Sequence, residues 1–136
     1  MVERALPRTI RIIVADDNDE MRMAMVKILM RHFLVIDAVT SGDALVDASV
    51  VLTPDVIVSD VMMRHMSGLE AMAALAEAGL RAPFVLVSAD TTDALEWIDR
   101  GALAVVHKLD LRELTAAVEA AAAGVTYLST RASRVH

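Results

Sequence analysis

Val56-Ile57-Val58-Ser59-Asp60 is a short apolar run that ends in a single carboxylate, with Pro54-Asp55 before it and a loop, Val61 to Gly68, behind it. Three β-branched residues in a row, with no polar alternation, suit a strand buried on both faces, as in a parallel sheet. Proline can enter a strand but not sit inside one, so Pro54 marks the start. Asp60 then falls at the strand's carboxyl end, the edge where ligands bind in open α/β sheets. Aspartate also bonds its own backbone in turns. On this stretch alone, ligand site and loop cap weigh equally.

The rest of the chain supplies the context. Ile10 to Ala15 reads as a first strand and runs into Asp16-Asp17-Asn18-Asp19-Glu20. A helix follows with Met21, Met25, Ile28 and Leu29 on one face at the 3.6-residue period. One acidic or amide side chain suffices to cap a helix, and five polar or acidic residues in succession exceed that need. Leu34 to Val39 is a second strand, and Thr40-Ser41-Gly42-Asp43 turns the chain into a helix through Leu45, Val46, Ala48 and Val51. After the Val56–Asp60 strand, Gly68 opens a helix through Leu69, Met72 and Leu75 that stops at Gly79. Pro83 precedes Phe84-Val85-Leu86-Val87-Ser88, and Asp90 to Asp93 starts a helix carrying Leu95, Trp97 and Ile98. Ala104-Val105-Val106-His107 is a fifth strand closing on Lys108, and Leu111, Leu114, Val118 and Ala121 trace a last helix ending at Gly124. Five strand–helix units in succession predict an α/β fold with a doubly wound parallel sheet covered on both faces. The Thr130–His136 segment is expected to fray, with Arg131 and Arg134 as tail charges.

Composition narrows the chemistry. The 136 residues fit one domain, and with 56% apolar but 3% aromatic residues the core must be aliphatic. A net charge of −6 argues against a nucleic-acid grip, which rests on Lys and Arg neutralising phosphates. The absence of cysteine excludes disulfides, thiolate metal sites and a cysteine nucleophile. No apolar run approaches the roughly 18 residues of a membrane span, and Met1 to Pro7 lacks the apolar core of a signal peptide, so a cytoplasmic protein is expected. The nine methionines are expected as core filler, Trp97 as a partly exposed helix residue, and His32, His65, His107 and His136 at the surface, without ligand spacing.

In a parallel sheet the strand ends share one edge. Asp16 and Asp17, Asp60, Ser88 and Lys108 can therefore converge although about ninety residues separate the first from the last. Crowded carboxylates repel and call for a cation. An oxygen-only set suits a hard ion such as Mg²⁺. A lysine and a hydroxyl beside it are what the oxygens of a transferring phosphoryl group require.

Those residues, in that order, with Met63, Met66-Ser67-Gly68 and Ser88-Ala89 between them, resemble the CheY-like receiver domain of two-component response regulators over roughly residues 9–128. Glu113-Leu114 through Ala121-Ala122-Ala123-Gly124-Val125-Thr126-Tyr127-Leu128-Ser129 is similar to the ending of the NarL/FixJ branch. The resemblance implies one receiver over residues 1–136, a flavodoxin-like (βα)5 fold with strand order 2-1-3-4-5, and a tail over 129–136. It implies that Asp60 accepts a phosphoryl group from a sensor histidine kinase or histidine phosphotransfer protein. Mg²⁺ would sit on Asp17, Asp60 and the backbone carbonyl of Met62, with Asp16 acting mainly through water. Ser88 and Lys108 would bond the phosphoryl oxygens. The module would be regulatory, with no activity beyond its own phosphorylation and dephosphorylation. Its output would be a change of partner or self-association, with a homodimer as one option. No nucleic-acid or membrane contact is implied.

Three departures stand out. Arg64 follows Met63 where the family loop usually has proline, and Leu109 rather than proline follows Lys108. Val105 stands where a receiver usually has Tyr or Phe, which puts the aromatic output switch in doubt. The competing enzyme reading is a Mg²⁺-dependent aspartyl phosphatase of the haloacid-dehalogenase type, but Asp17-Asn18-Asp19-Glu20-Met21 misses the Thr or Val that family needs, and no cap segment is present. A degenerate, phosphorylation-independent receiver would be expected to lack part of the Asp16, Asp17, Asp60, Ser88 and Lys108 set.

Overall fold

The structure is a computed structural model describing residues 9–134; the readings placed on Met1–Pro7 and on His136 lie outside the described residues. The order is β1 (Arg11–Ala15), α1 (Asp19–Leu29), β2 (Leu34–Val39), α2 (Gly42–Leu52), β3 (Val56–Asp60), α3 (Gly68–Glu77), β4 (Phe84–Ser88), α4 (Ala94–Asp99), β5 (Ala104–His107), a 3-10 turn (Lys108–Glu113), α5 (Leu114–Ala122), β6 (Tyr127–Leu128) and α6 (Thr130–Ser133). All strand pairings are parallel, in the order β2-β1-β3-β4-β5-β6. The flavodoxin-like order expected for five strands holds, with a sixth added.

The apolar runs of the strands are explained by the two cores they serve. Ile12, Val14, Val56, Val58, Val85, Val87 and Val106 point to the face covered by Met25 and Leu29 of α1 and Leu114 and Val118 of α5. Their neighbours Ile13, Ile57, Phe84, Leu86 and Val105 point to the face covered by Leu45, Ala71, Leu75 and Trp97. Each fully buried aliphatic side chain of this size contributes about 1.5–3 kcal/mol. Trp97 is thus not a partly exposed residue: it is 7% exposed and packs in the second core. Val51, placed on the apolar face of α2 by periodicity, is 78% exposed, because Leu45 and Ser49 carry the buried face. The methionines divide: Met25 is buried, whereas Met23, Met30 and Met62 are exposed. His32 and His65 are exposed, and half-buried His107 accepts the Leu109 N–H on Nδ1.

The described part of the segment expected to fray, residues 130–134, is docked instead, behind a short added strand. Tyr127 and Leu128 pair with Ala104 and Val105, and Ala132 of α6 is fully buried. Arg131 is not a free tail charge; its guanidinium and backbone N–H both engage buried Asp110. The last helix also begins later than the periodicity suggested, since residues 108–113 wind as a tighter turn before Leu114.

Candidate functional site

The sheet register gathers the expected residues. Ala15 pairs with Ser59, Asp60 with Val87, and Ser88 with His107, so the ends of β1, β3, β4 and β5 form one edge. The loop behind Asp60 is pressed against it. A Cβ on Gly68 would lie 2.4 Å from the Asp60 carbonyl oxygen, so only glycine lets α3 start there. The Gly68 N–H closes the loop onto the Val61 carbonyl at 2.9 Å, and Ser67 with Glu70 forms a reciprocal cap on α3.

Asp16, Asp17 and Asp60 each offer a carboxylate oxygen within 4.8 Å of the others. Asp16 is fully buried. Its Oδ1 accepts the Asn18 N–H at 2.9 Å, while Oδ2 is buried with no hydrogen-bond partner among the described residues. Asn18, not an aspartate, caps α1 by accepting the Met21 N–H, so Asp16 and Asp17 are not consumed in capping. Asp60 is 3% exposed; its Oδ2 lies 3.4 Å from the Lys108 ammonium, and its Oδ1 lies 3.4 Å from the Met62 N–H. Lys108 also reaches to 4.0 Å from Asp16 Oδ2. Asp17 is less buried and is held from the other side: its Oδ2 accepts the Arg64 N–H at 3.2 Å and lies 3.7 Å from Arg64 Nε.

The electrostatics follow from burial. Burial, then the charge of neighbouring Asp16, pushes the Asp60 carboxyl up to about 6, against the pull of Lys108 and of the Met62 N–H. Asp16 is raised too, chiefly by burial, with the Asn18 N–H and Lys108 opposing. The two titrate as a pair, since a proton on one relieves the other.

A buried carboxylate oxygen without a partner is costly. One lysine shared between Asp16 and Asp60 does not offset three clustered carboxylates. The oxygen-only donor set fits a hard divalent cation such as Mg²⁺.

Ser88 is buried at the β4 end, where its hydroxyl donates to the Asp90 carbonyl at 2.8 Å and accepts the Asp90 N–H at 3.1 Å. It is at the edge but engaged with its own loop. The role of Arg64 was not legible as chemistry. Its signal was an arginine where proline is usual, which supplies both a guanidinium and a backbone N–H that proline lacks.

The chain is similar to known proteins in sequence and in fold. The response regulator receiver domain family matches residues 12–119. Over 105 residues the chain is 34% identical to a protein-glutamate methylesterase/protein-glutamine glutaminase of Archaeoglobus fulgidus, covering 74% of this chain and 30% of that protein. Over 118 residues it is 31% identical to the transcriptional regulatory protein FixJ of Azorhizobium caulinodans, covering 85% of this chain and 56% of FixJ. The chain therefore spans about a third to a little over half of these relatives. Among solved structures, the signal receiver domain of the response regulator NarL from Mycobacterium tuberculosis superposes with a TM-score of 0.80 at 26% identity, covering 87% of this chain and 99% of that one. The chain belongs to the response regulator receiver domain family, the phosphorylation-controlled regulatory modules of two-component signalling.

Proposed function

We propose that Asp60 is the phosphoryl acceptor of this receiver, taking the group from a phosphohistidine of a sensor kinase or histidine phosphotransfer protein. The observation that carries the reading is the pairing of buried Asp60 with Lys108 at 3.4 Å beside an Asp16 oxygen that makes no hydrogen bond among the described residues. A carboxylate with its pKa near 6 is still mainly ionised at neutral pH, and Lys108 holds it in that form. In the transfer, an Asp60 oxygen bonds to phosphorus as the phosphorus–nitrogen bond breaks, and the electron pair returns to the donor imidazole. The Lys108 ammonium lies where charge on the transferring oxygens would be neutralised. Mg²⁺, held by Asp16, Asp17, Asp60 and the Met62 carbonyl, would supply the remaining charge neutralisation when bound. Attack of water on phosphorus then breaks the bond to the Asp60 oxygen, releasing inorganic phosphate and returning Asp60 to its carboxylate.

Ser88 would couple the event to the surface. To bond a phosphoryl oxygen its hydroxyl must release Asp90, so the loop from Ala89 to Asp93 moves with it. With Val105 in the strand-five position, this loop and α4 carry the output. The product is a changed surface for a partner or a second copy, not a turned-over metabolite. The setting is cytoplasmic. FixJ is a transcriptional regulator, and this receiver would pass its state to an output element of that kind or to a separate partner.

The test is incubation with acetyl phosphate and Mg²⁺ followed by intact-mass spectrometry and a hydroxylamine chase. One phosphoryl group that hydroxylamine removes is expected, with no sustained turnover of p-nitrophenyl phosphate. Sustained turnover would instead favour a phosphatase.

A further inference from the structure

Arg64 sits in a bend of unusual shape. The Met66 N–H bonds the Arg64 carbonyl at 2.8 Å, and His65 between them has φ of 69°, a left-handed conformation rare outside glycine. The turn leaves the Arg64 N–H bonded to Asp17 Oδ2 at 3.2 Å, and the same oxygen lies 3.7 Å from Arg64 Nε. Asp17 thus meets two groups of one residue, while Lys108 serves Asp60 and Asp16 on the far side. The Arg64 side chain is 78% exposed, so the guanidinium can leave at little cost in packing.

We propose that Arg64 is a built-in competitor for the divalent cation: its guanidinium neutralises Asp17 in the metal-free site and must swing off when the metal takes that carboxylate. This rests on the metal reading above and adds a residue that sets the affinity. A divalent ion at Asp17 is repelled by a guanidinium within a few ångströms, and Asp17 cannot give its full charge to both cations. The N–H bond has a different role, tethering the loop that carries Met62. Alanine keeps that N–H and removes only the guanidinium, so the two contributions separate.

The experiment is calorimetric Mg²⁺ titration of the full chain, wild type against Arg64→Ala, at low and high ionic strength. Arg64→Ala should bind Mg²⁺ about two- to fivefold more tightly at low salt, the range usual for an exposed pair. The gap should close as salt rises, because charges this exposed are screened. In 15N-edited spectra of the wild type, the Arg64 Nε–H signal should shift with the same Mg²⁺ midpoint. Equal affinities in the two proteins, weaker binding by Arg64→Ala, or an Nε–H signal that ignores a filled site would each overturn the proposal while leaving the metal site standing. If neither protein binds Mg²⁺, the metal reading fails and the competitor role falls with it.

Discussion

Two acidic clusters on this molecule are built from the same residue types and behave in opposite ways. At the sheet's carboxyl edge, Asp16 and Asp60 are buried, their carboxyls are pushed up, and one Asp16 oxygen has no hydrogen-bond partner among the described residues. Between the 3-10 turn and α6, Asp110 and Glu113 are held below the usual carboxylate range. Burial pushes both up, but hydrogen bonds outweigh it. For Asp110 these come from the Arg131 N–H, Ser129 and the Arg131 guanidinium. For Glu113 they come from the Thr130 N–H and the Tyr127 hydroxyl. The second cluster is saturated and works as a staple, clamping the β6–α6 segment onto β5. The first is left short of positive charge. A charge deficit inside a well-packed protein marks a place prepared for something that arrives from solution.

The comparison breaks most visibly through the staple. Arg131→Ala leaves Asp110 buried without its ion-pair partner, though still bonded by the backbone N–H, and should cost about 1.5–3 kcal/mol in urea unfolding, the range for losing a hydrogen bond to a charged group. Asp110 has a depressed pKa, so its contribution is present above the unfolded value and is lost as pH falls through the folded one; the cost should shrink on acidification. An unchanged midpoint would mean that the pair behaves as an exposed one.

The opposite sign is expected at the other cluster. Asp60→Asn removes a buried charge and should stabilise the protein in chelator at pH 7–8 by about 1–2 kcal/mol. The folded carboxyl titrates at about 6 and the unfolded one at 3.8, so the wild type takes up a proton on folding between those values and gains stability as pH falls. The two melting curves should therefore converge on acidification. A destabilised Asp60→Asn would show that the site is satisfied as it stands.

Metal affinity sharpens the contrast further. Asp17→Ala should weaken Mg²⁺ binding roughly tenfold or more, Asp16→Ala less, and Asp110→Asn not at all, by calorimetry. Equal losses at Asp16 and Asp17 would revise which of them meets the ion directly. The smallest signal is optical. Trp97 packs in the same core as Val105, so beryllofluoride with Mg²⁺ should shift its emission modestly, and Ser88→Ala, which cuts the link to the Ala89–Asp93 loop, should reduce the shift. No change at a filled site would exclude α4 as the moving element.

How far the sequence carried differs by region for physical reasons. The strands were legible because Val56-Ile57-Val58 and Phe84-Val85-Leu86-Val87 are apolar on both faces, and parallel connectivity then forces Asp16, Asp60, Ser88 and Lys108 to one edge. Gly79 and Gly124 take positive φ where helices were expected to stop. The docked tail was not legible. Tyr127-Leu128 is too short for a periodic signal, and its hold depends on Asp110 and Glu113 meeting residues that lie 14 to 21 positions later. The burial of Trp97 was missed because α4 is six residues long, too short for its apolar face to be read from spacing. Arg64 was seen as a departure, but only the bend at His65 turns it toward Asp17.

The most direct test labels wild type, Asp60→Asn and Asp110→Asn side by side with acetyl phosphate, with Mg²⁺ and with chelator, and reads intact mass and the modified peptide. Wild type and Asp110→Asn should each gain one phosphoryl group on Asp60 only when Mg²⁺ is present, and Asp60→Asn should gain none. A phosphoryl group on Asp60→Asn, or equal labelling in chelator, would contradict the assignment of the charge-deficient cluster as the cation-dependent phosphorylation site.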